Sequence, residues 1–238
     1  MDQQTLSLLI KVGEQKHIEA LYKRGEVFMN YLRFFKEDTK NKERKDISEG
    51  ASQIDQVNWL KISSKEISLE MARHGLPNKI TSALVREYDP NRSGNIYSMM
   101  GLDPLFIEQV GQIDEKNMDF GDTALLILKP GEFLKRLESA IHNSGLKSFY
   151  DKVTYYDEKE YSGPLDVFHK PLTYAHQLEF RFFIPSLENK PLKFNVGSLE
   201  GIAQMIPAQD LLKKKIWLCA EGSLRKKELS RKYKHHEL

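Results

Sequence analysis

The clearest pattern of hydrophobic and polar positions lies between residues 177 and 184, where the two kinds of residue alternate. Side chains in a β-strand point alternately to opposite faces, so this segment predicts a strand with one apolar and one polar row. The apolar row consists of Leu178, Phe180 and Phe182, and the polar row consists of Gln177, Glu179 and Arg181. The polar row fits either a face open to solvent or a face that lines a cleft.

The start of the chain predicts a strand, a helix and a second strand. Residues 6–12 are almost wholly apolar, and residues 14–24 carry apolar side chains at helical spacing. Gly25 follows as a C-terminal helix cap. A strand-like mixture resumes at residues 26–32 and extends through residues 33–36.

The rest of the pattern predicts a long loop, several strands and one further helix. Residues 36–50 are densely charged without apolar periodicity, which is typical of a long functional loop. The helix is expected to start at Pro130 and to end before Gly145. Strands are predicted at residues 57–62, 80–88, 95–102, 124–128, 153–156, 192–196 and 202–206. Many strands with few, non-alternating helices predict an α+β fold with mainly antiparallel sheets forming a cleft and a few flanking helices.

Composition indicates a cytoplasmic protein. The chain has 238 residues and a single cysteine, Cys219, which excludes an internal disulfide and fits a reducing compartment. The N-terminus has no basic segment followed by an apolar core, as a signal peptide would. The longest clean apolar run, residues 124–128, is too short to span a membrane.

Charge is concentrated at the C-terminal end. Residues 213–238 carry nine Lys/Arg and three Glu, a net charge of +6, whereas the whole chain carries +2. We therefore divide the chain into a main domain, residues 1–210, and a basic segment, residues 211–238. The segment either steers the protein toward nucleic-acid phosphates or is a solvated terminal helix.

Familiar cofactor and metal motifs are missing from the sequence. There is no glycine-rich phosphate loop, and one cysteine and seven histidines form no CxxC, HxxxH or HExxH pattern. We therefore expect no metal site.

Several segments resemble the ADP-ribosyltransferase superfamily. The start LLIKVGEQKHIEALYKRGEVFMNYL resembles its strand–helix–strand entry, and Gln177-x-Glu179 resembles its Gln/Glu-x-Glu motif. The segment 95–100, with Ser98, falls where the serine-centred strand of the Arg–Ser–Glu subgroup would lie. The layout is also similar to a family widespread in bacteria and phages that shares a charged loop. In this chain the loop carries Arg44, Asp46 and Glu49.

The resemblance implies that NAD is the substrate and that its diphosphate is held by a cation. Lys11 stands where the superfamily usually has Arg or His, so either Lys11 or Arg33 would take this role. We favour Arg33, because arginine binds phosphate oxygens through two parallel hydrogen bonds. Tyr31 would stack on nicotinamide, and Ser98 would lie at the NAD site.

The chemistry of the resemblance assigns roles to the remaining residues. Breaking the nicotinamide–ribose bond builds positive charge on the ribose, which a carboxylate stabilises, and Glu179 is that candidate. Gln177 would orient the acceptor. Arg44, Asp46 and Glu49 would clamp ribose and phosphate or position the acceptor, unless they form only a charged loop in water.

These expectations combine into one functional hypothesis and two rivals. The resemblance implies a mono-ADP-ribosyltransferase-like toxin or defence effector of a bacterium or phage that modifies a macromolecule, with RNA favoured as acceptor by the basic segment. An antitoxin or another defence protein is the expected partner, and no membrane is expected. The rivals are a non-catalytic partner-binding module on the same scaffold and an NAD glycohydrolase.

Overall fold

The structure, a computed structural model, describes residues 6–37, 42–57, 60–61, 79–80, 83–89, 92–109 and 111–213. The predicted α+β class with mainly antiparallel pairing is confirmed. The basic segment beyond residue 213, and parts of the strands predicted at residues 57–62 and 80–88, lie outside these ranges.

Fifteen strands and seven helices are present in the described ranges. The helices are α1 (Gln15–Arg24), α2 (Leu32–Glu37), α3 (Pro104–Gln109), α4 (Pro130–Asn143) and α5 (Asp210–Lys213), with 3-10 helices at Glu115–Phe120 and Leu172–Gln177. The first eight strands are β1 (Leu8–Gly13), β2 (Glu26–Tyr31), β3 (Gln53–Val57), β4 (Leu60–Lys61), β5 (Lys79–Ile80), β6 (Ala83–Glu87), β7 (Gly94–Leu102) and β8 (Thr123–Ile127). The others are β9 (Phe149–Lys152), β10 (Thr154–Tyr156), β11 (Gly163–Pro164), β12 (His169–Pro171), β13 (Glu179–Pro185), β14 (Leu192–Asn195) and β15 (Ala203–Pro207).

An eight-stranded open antiparallel sheet dominates the fold. Six strands follow one another in the order β14-β2-β7-β1-β8-β15, and β13 pairs with both β7 and β9. Three smaller sheets accompany it: β11-β3-β6, β4-β5 and the parallel pair β10-β12.

The large sheet splits along one edge of β7. The N-terminal part of β7 pairs with β2 through Asn95 and Ile96, and its C-terminal part pairs with β1 from Met100 to Leu102. Beyond these pairs β1 continues against β8, while β2 continues against β14. In the described part of the chain, residues 97–99 of β7 therefore have no strand partner on this side. The split opens a cleft in the middle of the sheet.

Helix α1 connects the two strands that separate at the split. It ends at Gly25, whose φ of 67° lies in the left-handed region and whose N–H bonds the carbonyls of Ala20 and Leu21. A Cβ at this position would lie 2.2 Å from the Gly197 carbonyl oxygen, so a larger residue would displace the backbone. The predicted strand–helix–strand start with a glycine cap is confirmed.

Both faces of the sheet carry an apolar core. On one face, Leu9, Met29 and Phe182 pack with side chains of α1 and α4. On the other face, Leu8 and Ile10 pack with side chains of α3 and α5. The sheet is thus buried on both sides near the split, which is why charged groups placed there are sheltered from water.

Strand β13 confirms the predicted apolar row and corrects the start of the strand. Phe180 and Phe182 are buried in the core on the side of α1 and α4, and Glu179 points to the opposite face. The strand begins at Glu179 instead of residue 177, because a 3-10 helix occupies Leu172–Gln177. Leu178 connects the two elements with a φ of 45°.

The segment after β2 also differs from its prediction. Residues 33–36 were predicted to extend the strand, but they belong to helix α2. The ion pair between Arg33 and Glu37, four residues apart, is a spacing that stabilises a helix. The predicted extension of the strand through residues 33–36 is therefore wrong, and Arg33 lies on a helix.

Most other elements agree with the pattern. Strands β7, β8, β10, β14 and β15 lie within one residue of the predicted limits, and helix α4 starts at Pro130. The pattern missed β9, β11, β12, α3, α5 and both 3-10 helices, and β3 lies N-terminal to the strand predicted at residues 57–62. Within the described residues, none of the helices has the length and apolar character needed to cross a membrane.

Candidate active site

A cavity of about 760 Å³ occupies the split in the sheet. Its walls come from β1, α1, β2, α2, the loop at residues 42–50, β7, both 3-10 helices, β12, β13 and β14. This volume is in the range of about 300–1,000 Å³ that is typical of small-molecule sites. The cavity has a charged end around Glu179 and an apolar end with several phenylalanines.

Glu179 lies at the charged end and is 5% exposed. Its Oε1 accepts hydrogen bonds from the Ser98 hydroxyl and from Arg181 Nε, the latter at 2.7 Å. Its Oε2 accepts a hydrogen bond from Lys170 Nζ at 3.0 Å. A carboxylate offers about four acceptor positions, and hydrogen bonds from the described residues fill three of them, which leaves one position on Oε2.

The surroundings keep Glu179 ionised. Burial by itself raises the pKa of this carboxyl, but the charges of Arg181 and Lys170 and the hydrogen bonds from Arg181 and Ser98 outweigh the effect. The pKa of Glu179 is therefore well below its usual value. A fixed negative charge at the base of a cleft can stabilise positive charge that develops on a bound molecule.

Arg181 ties Glu179 to the charged loop. Its side chain is 1% exposed and bonds both carboxylate oxygens of Glu49, at 2.9 and 3.1 Å, as well as the Val167 carbonyl. Burial raises the pKa of Glu49 to about 7, although the charge of Arg181 opposes the rise. Burial likewise raises the pKa of Asp46, whose carboxylate accepts the Ser48 N–H at 2.8 Å.

Gln177 is fully engaged within the protein. Its amide oxygen accepts a hydrogen bond from Lys170 Nζ at 2.7 Å, and its amide nitrogen donates to the Glu43 carbonyl at 2.9 Å. Gln177 and Glu179 thus converge on the same lysine, although Gln177 belongs to a 3-10 helix. The predicted proximity of Gln177 and Glu179 is confirmed, by a different local structure.

The loop at residues 42–50 closes one side of the site through contacts with the same 3-10 helix. His176 Nε2 and a Glu43 carboxylate oxygen are 2.7 Å apart, and the Tyr174 hydroxyl donates to the Lys45 carbonyl at 2.6 Å. Together with the Arg181–Glu49 pair, these contacts fix the loop against the cavity. Arg44 and Glu49 line the cavity as a result.

Lys11 reaches into the split from β1. Its ammonium donates to the Ser98 carbonyl at 2.6 Å, on the edge of β7 that faces the split, and lies 4.7 Å from the centre of the Tyr97 ring. Burial lowers the pKa of Lys11 to about 8; Glu179 opposes this change, and Arg44 contributes to it. Lys11 and Arg44 thus place two cations at the cavity.

Aromatic side chains form the other end of the cavity. Phe28, Phe34 and Phe120 line it, and Phe28 is 46% exposed with Lys193 5.7 Å from the centre of its ring. Tyr31 lies behind Phe34, with ring centres 6.2 Å apart in an edge-to-face contact, and does not line the cavity. An exposed phenylalanine here can stack on a flat heteroaromatic ring.

The nine residues selected from the sequence thus separate into three groups. Six line the cavity: Lys11, Arg44, Glu49, Ser98, Gln177 and Glu179. Asp46 is buried beside this group, and the charges of Lys170 and Arg181 partly oppose the rise in its pKa that burial causes. Tyr31 and Arg33 do not line the cavity, and Arg33 is exposed and paired with Glu37.

Three important residues were not selected from the sequence. Arg181 is two positions after Glu179 on the same strand face, so alternation was a usable signal. Lys170 and Glu43 carry no such signal. Lys170 belongs to a three-residue strand that is held by the parallel pairing of β12 with β10, and Glu43 belongs to a loop.

Leu178 adds backbone strain between Gln177 and Glu179. It is the one non-glycine residue with positive φ among the described residues. The left-handed conformation costs a bulky L-residue roughly 1–2 kcal/mol, and such strain is concentrated at functional sites in proteins. The turn at Leu178 allows a 3-10 helix and a strand to bring their side chains to the same lysine.

The described residues contain no group of three or more His, Cys, Asp and Glu side chains that could hold a metal ion.

Comparison with known proteins adds no relative. The chain matches no protein-family model, no curated protein and no solved structure. Its function is therefore argued from the geometry of the cavity.

Proposed function

We propose that this chain is an NAD-dependent mono-ADP-ribosyltransferase-like protein, a cytoplasmic toxin or defence effector that transfers ADP-ribose to a macromolecule. The observation that carries the proposal is the buried Glu179 carboxylate, ionised and with one open acceptor position, at the base of a cavity in a split sheet. The proposal is supported by Ser98 and Glu179, which line the same cavity, and by Lys11, one of the two cations considered for the diphosphate, which also lines it.

The proposed reaction begins with cleavage of the bond between nicotinamide and ribose. The electron pair of this bond leaves with the nicotinamide nitrogen, so the positive charge of the pyridinium passes to the ribose. The open position on Glu179 Oε2 accepts a hydrogen bond from a ribose hydroxyl, and the carboxylate stabilises the oxocarbenium-like transition state. An acceptor nucleophile then bonds to the ribose carbon and loses its proton.

Other residues of the cavity would bind the rest of NAD. Lys11 and Arg44 supply positive charge for the diphosphate, and Lys11 is favoured over Arg33 because Arg33 does not line the cavity. Phe28 and Phe34 offer faces for the nicotinamide or the adenine ring, in place of Tyr31. Asp46 and Glu49 hold the loop through Arg181 and Ser48 instead of reaching for substrate.

RNA is the acceptor class that we propose, on the basis of the positive charge of residues 213–238. An antitoxin or another defence protein is the proposed partner. Gln177 is an indirect participant in this scheme, because Lys170 and Glu43 occupy its amide.

A non-catalytic partner-binding module is the second candidate. The specific observation in its favour is that Glu179 is 5% exposed and that protein groups fill three of its acceptor positions. In that case the charged cluster would serve folding alone, and NAD would not be cleaved.

Incubation with NAD that is labelled in its adenylate phosphate distinguishes these functions. The protein is mixed with total RNA, DNA and protein from cells, and each fraction is separated after digestion of the other two. Label in one fraction supports transfer, and the proposal expects it in RNA. Free labelled ADP-ribose alone supports a glycohydrolase, and intact NAD under all conditions supports the binding module.

A further inference from the structure

Lys170 is a buried lysine in contact with both residues of the Gln177-x-Glu179 motif. It is 5% exposed and lies on β12, opposite Tyr155 of β10. The Tyr155 hydroxyl accepts a hydrogen bond from the Glu179 backbone N–H at 2.8 Å. Two neighbouring positions of this small sheet therefore hold the side chain and the backbone of Glu179.

Protein groups lie on three sides of the Lys170 ammonium. One bonds Gln177 Oε1 at 2.7 Å and one bonds Glu179 Oε2 at 3.0 Å. The Tyr174 ring, whose centre is 4.7 Å from Nζ, receives the positive charge on a third side. Two of the three N–H donors of Lys170 are thus bonded to Gln177 and Glu179.

The charges around Lys170 are arranged in a closed group. Lys170 and Arg181 face the carboxylates of Glu179, Glu49 and Asp46. A buried ammonium is costly unless it is paired, and here it bonds to one carboxylate and one amide. Its position determines which acceptor position of Oε2 remains open, since Ser98 and Arg181 already occupy Oε1.

We propose that Lys170 is a positioning residue that orients the Glu179 carboxylate, so that its one open acceptor position is presented to the ribose hydroxyl. It does so by holding Glu179 Oε2 and the Gln177 amide oxygen together. This role rests on the proposed NAD-cleaving function.

The test compares NAD cleavage by the full-length protein with that by Lys170→Met and Lys170→Arg. Methionine keeps the chain length and removes the charge, and arginine keeps the charge. We expect Lys170→Met to lower kcat by roughly 10²-fold with KM changed less than twofold, because a misplaced reacting group can cost about this much. Lys152→Met is the matched control: Lys152 is partly buried and paired with Asp103, outside the cavity.

The pH profile separates orientation of Glu179 from a merely structural role. Loss of the cation disfavours the ionised form of Glu179, so the acid limb of the pH profile of kcat should move to higher pH in Lys170→Met. In Lys170→Arg the limb should lie at its wild-type position. A ¹³C NMR titration of the Glu179 carboxyl should likewise show a higher pKa in Lys170→Met than in the wild type and in Lys170→Arg. If Lys170→Met does not fold, Lys170→Gln carries the same measurements.

The outcomes distinguish the two proposals. An active wild-type protein whose Lys170→Met variant keeps kcat within twofold and an unmoved acid limb overturns the role of Lys170 alone. A folded wild-type protein that never cleaves NAD overturns the proposed function and, with it, the catalytic role of Lys170.

Discussion

Two arginine–glutamate pairs of this chain are similar in chemistry but differ in environment. Arg181 and Glu49 are 1% and 3% exposed at the side chain, and Arg181 also bonds Glu179 at 2.7 Å. Arg33 and Glu37 are 66% and 59% exposed, with a separation of 2.7 Å, on one turn of helix α2. Both arginines lie in segments that sequence analysis associated with the site, yet only Arg181 lines the cavity.

The difference shows that the burial of an ion pair, more than the distance between its charges, decides how much the protein loses when one partner is removed. In water, the exposed pair gains little from the attraction of its charges, because solvent and salt screen it. Inside the protein, Arg181, Glu49 and Glu179 stabilise one another's charges, since an unpaired buried charge is very unfavourable. Charged residues that depend on one another in this way can hold Glu179 in one position.

Replacement of Arg181 by methionine should produce the largest difference between the two pairs. The variant leaves Glu49 and Glu179 without their shared cation, and loss of one partner of a buried pair costs about 3–5 kcal/mol. Urea unfolding monitored by circular dichroism gives the free energy of unfolding. The matched control, Arg33→Met, should unfold at the wild-type urea concentration. Equal free energies of unfolding of Arg181→Met and the wild type would show that the buried pair matters no more for stability than the exposed one.

The second prediction concerns Lys11, a cavity cation with a pKa of about 8. Its ammonium is mostly charged below this pH and mostly neutral above it, and the charged fraction falls about fivefold between pH 8 and 9. NAD affinity should therefore fall by up to about fivefold over this interval. Isothermal titration calorimetry at pH 7, 8 and 9 measures this change. Lys11→Arg should bind NAD with an affinity that stays level over the same range, because arginine remains charged. A level profile for the wild type would exclude Lys11 as the diphosphate cation.

Folding stability should respond to Lys11 with the opposite sign. Its pKa is lowered from 10.5 in the folded protein, so the unfolded chain binds more protons between about pH 8 and pH 10.5. The contribution of Lys11 to stability therefore increases as pH rises through this window and is lost as pH falls through about 8. Comparison of urea midpoints for the wild type and Lys11→Met at pH 8 and 10 measures this effect.

The smallest effect is expected from Arg33→Ala. Arg33 is on the outer side of α2 and paired with Glu37, so the dissociation constant of NAD should change less than twofold. Lys11→Ala, measured beside it, should weaken NAD binding about tenfold, the loss of one charge-assisted hydrogen bond. If Arg33→Ala weakened NAD binding more than Lys11→Ala did, Arg33 would be the residue that binds the diphosphate.

Sequence patterns predicted the parts of the site that depend on local structure. Alternation predicted that Phe180 and Phe182 are buried and that Glu179 faces the other side, and both are confirmed. Gly25 ended α1 as expected, because its left-handed conformation and its approach to Gly197 both need glycine. Lys11, Ser98 and Glu179 line one cavity, whereas Arg33, the cation favoured from the sequence, does not.

Contacts between distant segments were beyond the sequence patterns. The alternation that predicted a strand from residue 177 cannot reveal a left-handed leucine, whose conformation the surrounding structure imposes. The pair Phe34–Phe35 fits a strand or a helix equally; in the structure both residues belong to α2 and line the cavity. Lys170 reaches Glu179 through a parallel pairing of β10 and β12, and such pairing has no local signature.

The central claim is that the buried carboxylate of Glu179 drives cleavage of NAD. Glu179→Gln keeps the size of the side chain and removes its charge, and Glu188→Gln is the control at an exposed glutamate that pairs with Lys190. Single-turnover release of nicotinamide from labelled NAD should slow by roughly 10²–10³-fold in Glu179→Gln, the loss expected for one electrostatic stabiliser. It should proceed at the wild-type rate in Glu188→Gln. Wild-type nicotinamide release by a folded Glu179→Gln protein would contradict the account.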